Sequence, residues 1–365
     1  MRQYLAIIFA SIIGVSALIS APRTRDDLDD PDLDRERREA IIRAQQEKWG
    51  VEEEPAPAVQ WPGPAAILRR LLKVETITFD PAYSRQLQLG EMTLRIPAGS
   101  FTGPSVEVRA IVLKTPADFA LAGIPLEYKE SGNTVVLQSD GMFHLEFFQN
   151  GKQVEPSSSI SVLMQPGTSD AMNMYRLDGK SWTDVGSTGM VTDWPEGCDV
   201  RKSLTEPLLL LVESPYCEGE YPSVRIYRNI NQGGWWNFDK PAENITCLTG
   251  TFEPPNEDFQ IILQAAGMDY LGLSHARRKG KRFAVNVAAD HKVKIYSLVT
   301  DRKSRSVYIG SLEPIQSPGN TAFATDQDFS KCTDVGELKL KRTGVRLLTD
   351  RKALLEAIGL PEGGL

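Results

Sequence analysis

The residues that could carry chemistry are few and far apart. The chain has three histidines, His144, His275 and His291, which fall on different expected strands or loops and lack metal-ligand spacing. There is no Gly-x-Ser-x-Gly elbow, no His-Glu-x-x-His helix and no glycine loop shaped to cradle a phosphate. Acidic residues are plentiful, but a glycosidase pair is defined by its distance in space, which a linear spacing does not supply. The acidic run Asp26 to Asp34 lacks the Asp-x-Asp-x-Asp-Gly pattern of a calcium loop and reads instead as a capped helix start. The sequence therefore points to no catalytic residue, no metal site and no cofactor, and to a protein that is not an enzyme.

Two other clusters suggest binding. In Asn231 to Pro241 (NQGGWWNFDKP), Trp235, Trp236 and Phe238 follow two glycines, placing a large aromatic area on or beside a loop. Such a group either forms a platform that stacks on sugar rings or anchors a partner, or it plugs the space between two domains. The plug is preferred, because large aromatics occupy cores more often than exposed sites. The basic run with Arg277, Arg278, Lys279, Lys281 and Arg282 can dock a lipid head group or an acidic polysaccharide. Its central Gly280, flanked by apolar runs, makes a solvated hairpin tip the preferred reading.

The elements that would position these residues follow from pattern. Apolar residues at Leu87, Leu89, Met92, Leu94 and Ile96 recur with period two, and the stretch Leu87 to Val112 reads as a hairpin around Pro97 to Phe101. Further strands are expected at Val74–Phe79, Ser105–Lys114, Thr134–Gln138, Met142–Gln149, Ser159–Met164, Met172–Leu177 and Pro207–Glu213, with tight turns at Asn150-Gly151 and Asp178-Gly179. Phe143, Leu145 and Phe147 then face one side, and His144, Glu146 and Phe148 the other. A second group covers Cys247–Phe252, Phe259–Ala265, Phe283–Val287, Lys292–Val299 and Val307–Leu312. The expected class is all-β, with two antiparallel, immunoglobulin-like β-sandwiches in tandem: the first over 74–213, an aromatic connector over 214–244, the second over 245–346, and a short helix and tail over 347–365.

Ahead of these lies an apolar run from Tyr4 to Leu18 after Arg2, which reads as a signal peptide or uncleaved anchor over 1–21. A charged helix near Pro31 to Trp49 and a proline-rich spacer complete residues 22–73. Export to the periplasm or cell surface agrees with four cysteines outside that segment, Cys198, Cys217, Cys247 and Cys332. They admit three pairings. Cys198 with Cys217 and Cys247 with Cys332 is favoured because each pair closes a loop within one domain, the first contributing roughly 3 kcal/mol. Four buried thiols are the alternative. Among 365 residues a net charge of −7 argues against a nucleic-acid partner.

Two resemblances add to this. Gly90, Leu94 and Ile96-Pro97-Ala98-Gly99, then Gly141-Met142-Phe143, Asn150-Gly151-Lys152 and Tyr175 to Trp182, resemble a family of exported bacterial sandwich domains. More distantly they are similar to the sandwich shared by ankyrins and netrin receptors. Self-cleaving relatives carry His-Phe-Ser, whereas His144 is followed by Leu145 and Glu146, so the resemblance implies scaffolding without self-cleavage. Cys247-Leu248-Thr249-Gly250 with Gly280 to Val285 resembles the transthyretin-like module found beside carboxypeptidases, itself a non-catalytic sandwich. The expected function is a non-catalytic envelope or surface protein acting through protein contacts or as a scaffold. Membrane contact is expected only through the N-terminal segment, if it stays uncleaved. A carbohydrate-binding module using Trp235 and Trp236, or accessory domains of a separate hydrolase, are the alternatives.

Overall fold

Alternating apolar residues dictate strands, and strands with two covered faces dictate layers. The computed structural model describes residues 66–130, 133–166, 172–193, 223–254, 260–301 and 306–363. The expected signal segment, charged helix, proline-rich spacer, strand at 207–213, Cys198 and Cys217 lie outside them. No helix among the described residues is long and apolar enough to cross a membrane.

The chain is all-β, built as two sandwiches whose strands we number in chain order. One sheet of the first sandwich runs β1 (Glu75–Phe79), β4 (Val106–Leu113), β6 (Asn133–Gln149), β13 (Gly234–Pro241), β9 (Asn173–Asp178), β10 (Ser181–Ser187). Two short strands, β5 (Glu127–Glu130) and β7 (Lys152–Val154), also pair with β6. The facing sheet runs β11 (Gly189–Asp193), β12 (Ser223–Ile230), β8 (Ile160–Met164), β3 (Met92–Ile96), β2 (Arg85–Leu89). Between them Phe143, Leu145 and Phe147 meet Leu89, Met92, Leu94, Ile96, Val162 and Ile226 in one apolar core.

In the second sandwich one sheet runs β17 (Arg277–Lys279), β18 (Arg282–Ala288), β14 (Ile245–Phe252), β22 (Thr333–Leu338). The other runs β16 (Leu273–His275), β15 (Gln260–Gly267), β19 (Lys292–Asp301), β20 (Ser306–Ser311), β23 (Lys341–Thr343), with β21 (Ile315–Gln316) also on β19. All pairs are antiparallel except β14 with β22. The Cys247–Cys332 disulfide closes here, as expected from the sequence. It pins a strap over the outer face of β14 and β18, where Ala322, Ala324 and Phe329 pack on Ala284. Asn286 holds the same strap through its side chain, accepting from Ala324 N at 2.8 Å and donating to Ala324 O at 3.2 Å.

Three expectations need correction. The Leu87 to Val112 stretch is not one hairpin around Pro97. The hairpin is β2–β3, turning at Gly90-Glu91 with Gly90 at φ +58°, and residues 97–105 carry the chain across to the opposite sheet. That crossing is a packed corner: Phe101 lies 4.9 Å from Phe147 and 6.0 Å from Phe79, ring to ring. Next, the two strands expected at 134–138 and 142–149 are one 17-residue strand, β6, whose pairing with β13 shifts register between Phe238 and Asp239. Finally, 214–244 is not a connector throughout, because β12 and β13 are interior strands of the first sandwich. Both faces of β13 are covered, so its apolar residues do not alternate with polar ones and the strand signature is lost. The Asn150-Gly151 turn is as expected, with both residues at positive φ, 49° and 73°, joining β6 to β7.

Because the disulfide joins residues 85 apart, it constrains a long loop of the unfolded chain. Replacing both cysteines (C247S with C332S) should lower stability by about 2–5 kcal/mol in urea unfolding. An unchanged midpoint would mean that the strap's hydrogen bonds suffice.

Candidate functional site

Three short helices and the outer faces of two sheets form a third apolar layer. The sequence Thr115-Pro116-Ala117-Asp118 is a capping box that starts α2 (Pro116–Ala122) after α1 (Ala66–Arg69): Thr115 Oγ1 accepts from Asp118 N at 3.1 Å, and Asp118 Oδ2 accepts from Thr115 N at 3.1 Å. Gly123, at φ +59°, ends the helix in a left-handed turn. Phe119, Ala120, Leu121 and Ala122 have no exposed surface. They pack with Ile111, Leu113, Tyr175 and Trp235 from the first sandwich and with Ile262, Tyr296, Leu298 and Ile309 from the second. The C-terminal helix α3 (Arg351–Ile358), capped by Asp350 and Gly359, adds Leu354, Leu355 and Ile358. It also places Arg351 2.8 Å from Asp118.

A helix end in a dry layer leaves carbonyls that need donors. Two buried side chains, Arg69 and His275, supply them, and Tyr296 braces the second through Gln264. Arg69 donates through Nε to Ala122 O. Tyr296 Oη lies 3.3 Å from Ala120 O and donates to Gln264 Oε1 at 2.8 Å. Gln264 Nε2 lies 2.7 Å from His275 Nε2, and since an amide nitrogen only donates, that ring nitrogen is the acceptor. The imidazole's other nitrogen is then the donor, and it serves the backbone of Gly123. The relay Tyr296, Gln264, His275, Gly123 thus ties the end of α2 to the second sandwich. Backbone bonds run alongside it, from Leu126 N to Leu273 O at 2.8 Å and from Ser139 N to Leu271 O at 2.9 Å.

Electrostatics follow from this burial. Loss of water lowers the Arg69 guanidinium to about 10, still charged at neutral pH. Burial first, and the Arg69 charge second, hold His144 at about 4. Burial also takes His275 down to about 4, with Arg69 contributing, against an opposing hydrogen bond to Gly123. Both imidazoles are neutral, and the His144 ring packs tilted against Trp235, 4.8 Å between centroids. On the same sheet, burial raises the Glu146 carboxyl and raises Asp239 well above the usual carboxylate range.

The residues singled out from the sequence are not brought together. His291 lies apart from the other two, with Gln138 Nε2 at 2.9 Å and Asp269 Oδ1 at 3.3 Å from its ring nitrogens. Among the described residues no three His, Cys, Asp or Glu side chains gather as a metal set. The aromatic platform is corrected outright. Trp235 and Trp236 are 4% and 3% exposed and Phe238 is fully buried, because consecutive residues of an interior strand point to opposite covered faces. Trp236 and Phe238 join the first sandwich's core, and Trp235 alone faces the layer between the sandwiches.

The basic run forms the β17–β18 hairpin around Gly280, with each side chain engaged internally. Arg277 pairs with Glu127 and Asp326, Arg278 lies over the Phe252 ring, and Lys279 donates to Gln327 O. Lys281 pairs with Glu253, and Arg282 contacts Thr249 Oγ1. The residues that organise the layer, Arg69, Gln264 and Tyr296, carry no local signature. The capping box at Thr115 does, and it marks a helix missing from the expected elements.

Comparison with known protein families finds no family model that matches the chain, and comparison with curated protein sequences finds no match either.

Phe119→Ala, which empties the centre of the layer, should cost about 3–5 kcal/mol in urea unfolding. The histidines give a pH signature. Their folded values near 4 lie below the unfolded value of about 6.5. In that window the unfolded chain binds more protons, so their contribution is complete above pH 6.5 and is lost as pH falls towards 4. Asp239 and Glu146 act with the opposite sign, so the wild type must be compared with the H144Q/H275Q variant. The unfolding free energy of the wild type should fall more steeply between pH 7 and pH 4.5, by on the order of 5 kcal/mol for the two imidazoles together. Equal slopes would disprove the neutral buried imidazoles.

Proposed function

We propose that the chain is a non-catalytic exported protein of the cell envelope or surface that works through contacts with a protein partner, its two sandwiches presented together as a scaffold. What carries this reading is the α2 layer. His144, His275, Tyr296 and the tryptophans of β13 serve there, or in the adjoining core, as packing and hydrogen-bonding groups. A protein so organised offers its outer sheet faces and edges to partners. The apolar N-terminal run supports the export half of the reading.

Photocrosslinking side chains at the exposed positions Tyr83 and Met190 provide the test. In intact exporting cells they should give discrete protein adducts, with the chain accessible to added protease once the outer barrier is opened. Protection of the chain with the cytoplasm would overturn export. Absence of any protein adduct from both positions would count against a protein partner on these faces.

A further inference from the structure

We propose that the groove between strand β23 and the start of α3 binds an acidic, extended peptide segment of a protein partner, an inference that rests on the protein-contact reading above and supplies the chemistry of that contact. β23 (Lys341–Thr343) ends its sheet: it pairs with β20, and among the described residues no strand covers its other edge. A free edge presents backbone N–H and C=O groups at the spacing of another strand, which an added peptide can match. Register sets Lys341 and Thr343 beside Ile309 and Val307, two residues of the α2 layer, so Lys341 and Thr343 share the face on which α3 lies. Arg342 belongs to the opposite face, and its Nη2 donates to Ser306 Oγ at 3.1 Å.

Beyond Thr343 the chain passes through Gly344 and the 3₁₀ turn Val345–Thr349 into α3, and these residues line an open groove of about 920 Å³. Leu347 and Ala353 supply apolar lining, and Arg346, Arg351 and Lys352 supply cations. The two carboxylates of the lining are engaged. Asp350 Oδ1 accepts from Ala353 N at 3.0 Å as the cap of α3, and Glu362 Oε1 lies 3.5 Å from Arg351 Nε. Arg351 also holds Asp118, so it is committed within the fold. Lys341, Arg346 and Lys352 are exposed, and among the described residues no carboxylate lies within ion-pair distance of them. In a chain of net charge −7, three such cations beside an open strand edge select an acidic partner. A polysaccharide would match the charge but not the edge, because it has no run of amide groups at strand spacing.

Fluorescence anisotropy of the full chain with a short labelled peptide of alternating Glu and Thr tests this. The wild type should bind that peptide but not its Lys-Thr counterpart, and more weakly at higher salt. Reversing two exposed charges (K341E with K352E) should weaken binding at least roughly tenfold, with thermal melting confirming that the variant is folded. A Glu-Thr peptide N-methylated at alternate residues keeps its charge and loses its strand donors, so it should bind at least roughly tenfold more weakly as well. No binding by the wild type, wild-type affinity in the folded K341E/K352E variant, or equal binding of the methylated peptide or of polygalacturonate would each overturn the proposal. In intact exporting cells a photocrosslinking side chain at Lys352 should form a protein adduct. No adduct there, beside adducts from Tyr83 or Met190, would overturn this groove alone, whereas no adduct from any of these positions would count against the wider protein-contact reading too.

Discussion

The constraint on which the rest of the structure depends is the need to satisfy the backbone of a seven-residue helix buried on every side. Water cannot reach the last carbonyls of α2, so each must find a protein donor or cost on the order of 1–3 kcal/mol. Arg69 and His275 meet that need from two directions, with Tyr296 holding the second in place through Gln264. Once they do, α1, both sandwiches and, through Arg351, the C-terminal helix are committed to one arrangement.

That arrangement explains the unusual apolarity of the sheets that face it. A free-standing sandwich alternates polar and apolar residues because each sheet has one wet face. Here β6 carries Phe143, Leu145 and Phe147 on one face and His144, Glu146 and Phe148 on the other, and all six are buried. Trp235 and Trp236 follow the same logic on β13. The second face of this sheet is a wall of the layer that holds α2, not a surface.

The face of the second sheet turned away from the first sandwich's core is organised differently. On β2, β3, β8 and β12 the outward side chains bond to one another across the strands, holding guanidinium and amide groups in fixed rows. On the β17–β18 hairpin the cations are instead neutralised or capped by local partners, so a dense run of positive charge in the sequence leaves little unengaged charge in space.

How much of this was legible depends on the range of the interaction responsible. Period-two burial along Leu87 to Ile96, the left-handed turn at Asn150-Gly151, the short C-terminal helix and the 247–332 disulfide all rest on local spacing or on a simple argument about loops, and all were readable from the residues. The sheet to which β4 belongs, the place of β13 in an interior, and the burial of Arg69, His144 and His275 were not. Each depends on contacts between residues distant in the chain, and neither an arginine nor a glutamine shows in its neighbours whether it will end in water or under a helix. The sequence by itself determined a β-rich chain of sandwiches and where most strands run. Only the tertiary structure decided which faces are wet, because exposure is a property of how layers stack, not of any one strand.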